Sequence, residues 1–167
     1  YLTGEFFMDM SDAAGTSWLD VGNRCWSEYA LKASNMRADQ MPKLLEGTQV
    51  ASSVSEFIAD ELGIPSGVSV VAGAGDNAAA ACGVGITREG QGFVSIGTSG
   101  VLLTARDTYT PLAHSAVHTF CHAIPKTWYQ MGVILSATDS LNWLSSLTGQ
   151  SPKALSEGLG HKINGPS

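Results

Sequence analysis

Residues 67–83 constrain the fold of this chain more than any other stretch. Gly67-Val-Ser-Val-Val-Ala72 is a short β-branched run bounded by glycines, the pattern of a buried strand. A tight turn, Gly73-Ala-Gly-Asp-Asn77, follows at once. Ala78-Ala-Ala-Ala-Cys82 is then a run of the best helix former with no side chain bulkier than cysteine. A strand, a glycine turn and a close-packing helix in this order point to an α/β fold, and open α/β sheets place ligands at the carboxyl ends of their strands. Asp76 falls at that place. A carboxylate there can accept a proton from a hydroxyl as it attacks a phosphoryl group, or it can cap the helix that follows; spacing alone leaves both roles open.

A second glycine turn, Gly97-Thr98-Ser99-Gly100, joins two apolar runs, Phe93–Ile96 and Val101–Thr104, that read as a β-hairpin. Its hydroxyls and N–H groups can hold phosphate oxygens. It lacks the Gly-Lys-Ser/Thr ending of a P-loop, and a plain hairpin turn fits the composition equally well. Val117–Ile124 and Trp128–Leu135 read as two further strands around Pro125-Lys126. Ser27–Ser34, Ser55–Leu62 and Ser136–Leu147 carry helical spacing, with Ser55 and Ser136 as candidate caps and Gly63 as a stop. The first 25 residues read as loop with a short helical turn capped by Ser11 or Asp12, and Trp18, Trp128 and Trp143 as core. Alternation along a strand sends His118 and His122 to one face and Cys121 to the other, so these residues read as packing and hydrogen-bonding groups and no residue is assigned to a metal. The change from helix-rich to hairpin pattern puts a domain boundary near Thr87.

Charge and hydropathy exclude several functions. Nine Lys and Arg against 15 Asp and Glu give a formal charge of -6 with no basic run, so nucleic acid is not an expected partner. The longest apolar stretches, Val68–Ala72 and Met131–Leu135, fall far short of the roughly 20 residues that cross a bilayer, so no membrane is expected either. Three cysteines, Cys25, Cys82 and Cys121, read as reduced, buried thiols and point to a cytoplasmic location. The chain opens on Tyr1 without a signal peptide pattern and closes on the turn-like Ile163-Asn-Gly-Pro-Ser167, so both ends read as cuts.

Several blocks in order resemble the FGGY family of carbohydrate kinases: Met10-Ser-Asp-Ala-Ala-Gly-Thr16 with Leu19-Asp-Val21, Gln40-Met-Pro-Lys-Leu44, Gly75-Asp-Asn-Ala-Ala79, Val94-Ser-Ile-Gly-Thr-Ser-Gly100, and Val117-His-Thr-Phe-Cys-His122 followed by Gln130-Met-Gly-Val133. The resemblance covers nearly the whole chain and is strongest to the members that act on D-xylulose. It implies an actin-like ATPase (ribonuclease H-like) fold, with residues 1–86 as the C-terminal part of the first, sugar-side domain and residues 87–167 as the N-terminal part of the second, nucleotide-side domain. It implies ATP and Mg2+ as cofactors, D-xylulose as the small-molecule partner, with a homodimer as one assembly, and phosphorylation of the C5 hydroxyl. Asp76 becomes the catalytic base and Asn77 a sugar contact; Gly97, Thr98 and Ser99 fall on the nucleotide phosphates, and Asn142 borders the nucleotide. The family's N-terminal phosphate and magnesium hairpin, its Met-His sugar contact and its adenosine loop are not in this sequence, so the 167-residue chain by itself is expected to be inactive. Relatives acting on ribulose, gluconate or glycerol, and a non-catalytic sugar- or nucleotide-binding protein of the same fold, are the alternatives.

Overall fold

The computed structural model describes residues 1–159, so the turn read at 163–167 lies outside the described residues. Strand β1 (Phe7–Asp9) runs straight into helix α1 (Met10–Ala13). A short hairpin of β2 (Leu19–Asp20) and β3 (Cys25–Trp26) precedes α2 (Glu28–Ala33), and β4 (Lys43–Leu45) returns parallel to β1 with Phe7 opposite Lys43 and Asp9 opposite Leu45. Next come β5 (Val50–Ser53), α3 (Glu56–Leu62), β6 (Ser69–Val71) and α4 (Asp76–Gly83), with β6 antiparallel to β5. Strands β7 (Gly92–Ile96), β8 (Gly100–Arg106), β9 (His118–Cys121) and β10 (Trp128–Ile134) form a sheet in the order β7-β8-β10-β9. Helices α5 (Thr138–Thr148) and α6 (Pro152–Gly158) follow.

The chain forms two compact units. Among the described residues one comprises Tyr1–Phe93 and Leu103–Gly132, the other Val94–Leu102 and residues 133–159. In the first unit the small residues Ala13 and Ala14 let α1 and the turn after it sink against Leu19 and Cys121, with Met8, Leu44, Phe120 and Trp128 packed around them. A second cluster joins Val54, Ile58 and Ala59 to Val70, so α3 presents one face to the β5–β6 ribbon. Burying a side chain the size of Ile58 contributes about 1.5–3 kcal/mol.

Helix α2 starts where serine predicts it: Ser27 Oγ accepts from the Ala30 N–H. Helix α3 ends on Gly63 in the left-handed region, as expected, but the Ser55 hydroxyl makes no capping bond. Five further expectations are corrected. The cap of α1 is Asp9, whose carboxylate accepts from Ser11 and Asp12 N–H, since β1 delivers Asp9 and not Ser11 to the helix start. Helix α5 begins after Ala137 without a side-chain cap, because its first N–H groups go to the Gly97–Ser99 turn instead of to Ser136. Strand β6 is not buried: Val71 is 54 % exposed, as the ribbon packs on α3 only through Val70. Trp143 on α5 is 65 % exposed, and Cys25 is exposed at the β2–β3 hairpin; Cys82 is partly buried and Cys121 buried. Among the described residues no helix is long and apolar enough to cross a membrane.

Candidate active site

Asp76 is the first residue of α4 and is exposed; the cap position belongs to Gly75. One carboxylate oxygen, Oδ1, accepts from the Asn77 N–H at 2.6 Å and from Asn77 Nδ2 at 3.1 Å. The other oxygen, Oδ2, takes no hydrogen bond among the described residues. Asp76 therefore does not cap α4: one oxygen is held by its neighbour Asn77 and the second is presented to solvent. Asn77 fixes the carboxylate's orientation.

The turn that carries Asp76 is held from two sides. Gly73 N–H donates to the Gly47 carbonyl at 3.1 Å, and Ala72 N–H to the Gln49 carbonyl at 3.0 Å. A β-carbon on Gly47 would lie 2.6 Å from the Gly73 carbonyl oxygen and 3.1 Å from that of Ala123, so only glycine fits there. From the α1 side, Gly75 N–H donates to Ser11 Oγ at 2.9 Å, and the Ser11 hydroxyl donates in turn to the buried Asp9 carboxylate. A cavity of about 550 Å³ lies in this unit, with Phe7, Met8, Asp9, Asp12, Met41 and Ala72 among its walls, so Asp12 and Ala72 set it beside the Gly73–Asp76 turn.

Tyr129 on β10 was not singled out by the sequence. Its ring is buried between Phe120 and His122, edge-on to both, at centroid separations of 5.6 Å and 5.9 Å. Burial pushes its phenol well above the ordinary tyrosine range, and the carboxylates of Asp76, Asp9 and Asp12 push in the same direction, together with Cys121. His122 is fully buried, its Nε2 3.1 Å from the Ile86 carbonyl beyond the end of α4 and its Nδ1 accepting from the Ile124 N–H. That pairing puts the proton on Nε2. Burial lowers the His122 pKa, against the opposing pull of the Ile86 carbonyl. His118, by contrast, is exposed and stacks on Phe120. Cys121 is raised to about 11 by burial, with Arg24 pulling it down and Glu46 and Asp9 adding to the rise.

The first unit is also pinned by an ion pair. Arg24 forks onto Glu46 through Nε–Oε1 at 3.0 Å and Nη2–Oε2 at 2.6 Å, donates from Nη1 to the Thr127 carbonyl at 3.2 Å, and lies 5.4 Å from the Trp128 ring centre. Both partners are largely shielded, at 11 % and 20 % side-chain exposure. Glu46 immediately precedes Gly47, so the pair steadies the segment on which the Asp76 turn rests.

The second unit contains Gly97, Thr98, Ser99 and Asn142. Gly97 N–H donates to the Ser99 carbonyl at 2.8 Å, closing the hairpin turn. The N-terminus of α5 reaches back to it: Ala137 N–H donates to Thr98 O at 2.7 Å, and the Thr138 N–H and hydroxyl both donate to Gly97 O, at 3.1 and 2.7 Å. The hydroxyls of Thr98 and Ser99 are exposed and take no partner among the described residues. Gly100 has no room for a side chain, since a β-carbon would come within 2.9 Å of Ile134 Cγ1. Asn142 is exposed in the second turn of α5.

Comparison with known proteins follows the same blocks. Residues 1–83 match the N-terminal domain of the FGGY family of carbohydrate kinases. The chain is 48 % identical over 150 residues to a xylulose kinase of Escherichia coli and 45 % identical over 148 residues to one of Klebsiella pneumoniae; 90 % and 89 % of this chain are covered, but 31 % and 30 % of those proteins. It superposes with a TM-score of 0.87 and 50 % identity on a crystal structure described as a "xyloylose kinase" from Brucella ovis, over 99 % of this chain and 34 % of that one. The chain therefore spans about a third of the length of the relatives it matches. Its fold is that of the corresponding part of an actin-like ATPase, and the chain belongs to the FGGY family of carbohydrate kinases.

Proposed function

We propose that the full-length protein carrying this chain transfers the γ-phosphoryl group of ATP to the C5 hydroxyl of D-xylulose, giving ADP and D-xylulose 5-phosphate, with Asp76 as the base. The observation that carries this reading is the placement of Asp76: an exposed carboxylate at the mouth of α4, with Oδ1 held by Asn77 and Oδ2 unengaged. As the sugar hydroxyl oxygen bonds to the γ-phosphorus, the bond to the β-phosphate bridging oxygen breaks and the hydroxyl proton passes to Asp76 Oδ2. Asn77 holds the carboxylate and contacts the sugar. Gly97, Thr98 and Ser99 receive the nucleotide phosphates through the exposed hydroxyls and N–H groups of their turn, and Asn142 borders the nucleotide. Identity of 48 % to a xylulose kinase supports the choice of sugar.

Magnesium would ride on the nucleotide phosphates with one or two carboxylates. Among the described residues no group of three or more His, Cys, Asp or Glu stands together, and no residue of this segment is assigned to the ion. When bound, the ion would offset phosphate charge as it develops. Residues 1–86 close the sugar-side domain and residues 87–167 open the nucleotide-side domain; the end of the family match at residue 83 supports that division. By this reading the protein works in the cytoplasm, with a homodimer as its proposed assembly.

The test is Asp76→Asn in the full-length protein. Turnover of D-xylulose should fall to a measurable trace while ATP binding persists. Near-normal kcat would show that Asp76 is not the base. A panel of D-xylulose, D-ribulose, gluconate and glycerol then decides the substrate by kcat/KM.

A further inference from the structure

Helix α4 begins with an unusual division of labour. Its cap residue is Gly75, which has no side chain, and its third helical residue is Ala78, which is fully buried and cannot accept the cap's backbone N–H. In a capping box, a Glu or Gln at that third position performs this task. Here the acceptor comes from 64 residues away: Ser11 Oγ takes the Gly75 N–H at 2.9 Å. Ser11 is itself 5 % exposed, and its hydroxyl proton goes to Asp9 Oδ1, the oxygen that also accepts the N–H groups of Ser11 at 2.8 Å and Asp12 at 3.1 Å. A hydroxyl has one proton to give. Because Asp9 takes it, the Ser11 lone pairs are left to face Gly75.

We propose that Ser11, oriented by Asp9, is the positioning residue of Asp76: it fixes the Gly75 amide, and with it the peptide that sets the direction of the adjoining carboxylate. This rests on Asp76 being the base. Asp76 has no hydrogen bond to any residue but its neighbour Asn77 among the described residues, so its aim depends on the backbone that carries both residues. Displacement of a catalytic group by about 1 Å can cost on the order of 100-fold in rate.

The experiment uses the full-length kinase with Ser11→Ala, Ser11→Thr, Asp76→Asn and the Ser11→Ala/Asp76→Asn double variant. Ser11→Ala should lower kcat about 10- to 100-fold with KM for ATP unchanged, and should speed amide exchange at Gly75. Ser11→Thr, which keeps the hydroxyl, should recover most of both. If Ser11 acts through Asp76, the double variant should be no slower than Asp76→Asn alone. A kcat for Ser11→Ala within twofold of wild type, equal losses in Ser11→Ala and Ser11→Thr, or a further loss in the double variant would each overturn the proposal. Failure of the base assignment is read separately: Asp76→Asn alone would then retain turnover, whatever Ser11→Ala does to the Gly75 amide.

Discussion

Removing Arg24 is a stringent test of how the first unit is held together. Arg24→Met keeps an apolar stem but deletes three donated hydrogen bonds, two to Glu46 and one to Thr127, and the contact with Trp128. The pair is shielded, so Glu46 would be left as an uncompensated, mostly buried carboxylate. Breaking one side of a buried pair costs about 3–5 kcal/mol, and the residual exposure of 11 % and 20 % argues for the lower end, about 3 kcal/mol. Glu46→Gln should cost less, about 1–2 kcal/mol, because Arg24 keeps its bond to Thr127 and its place by Trp128. The double variant should cost less than the sum of the two, since the second change removes the charge that the first left stranded. Urea unfolding followed by tryptophan emission measures all three, and Trp128 reports on the site directly. An Arg24→Met cost under 1 kcal/mol, or strict additivity in the double variant, would refute the reasoning.

Two further perturbations probe the supports of the Asp76 turn and the packing behind it. Gly47→Ala drives a methyl against two backbone carbonyls and should cost about 1–3 kcal/mol, whereas Gly132→Ala, with open space around its β-carbon, should stay within about 0.5 kcal/mol; urea midpoints compare them. Because the folded pKa of His122 lies below its ordinary value, the unfolded chain binds a proton that the folded one refuses as pH falls below about 6.5. The His122 contribution should be intact above that pH and decline as pH drops toward the folded pKa, and His122→Asn should flatten this part of a stability profile measured from about pH 7.5 to 5.

Elements built from local signals were legible in the sequence. Ser27 and Gly63 mark helix ends through their own chemistry, and the runs on either side of Gly97–Gly100 and Pro125-Lys126 pair as hairpins because close strands need no distant partner. Long-range pairing was not legible. Val50-Ala-Ser-Ser53 has no apolar alternation, and it becomes a strand because β6 lies beside it. Strand β1 likewise depends on β4, some 35 residues on. Helix α6 carries a local cue in the sequence, Ser151 at the cap and Pro152 in the first turn. At the candidate site, Asp76 stood out because it follows a strand directly. Ser11, Gly47 and Tyr129 did not, since each matters through a neighbour distant in sequence.

The clamp of Ser11 on Gly75 also sets an order of assembly. A contact across 64 residues forms only after the intervening chain has found its pairings, and such closures come late in folding. As the chain emerges from its N-terminus, the acceptor half, β1 and α1, is made first and waits for the turn it will hold. In the mature protein the same separation gives a point of partial opening: undocking β1–α1 would release the Gly75 amide while α4 keeps its own hydrogen bonds. Catalytic competence and helical structure would then be lost at different thresholds.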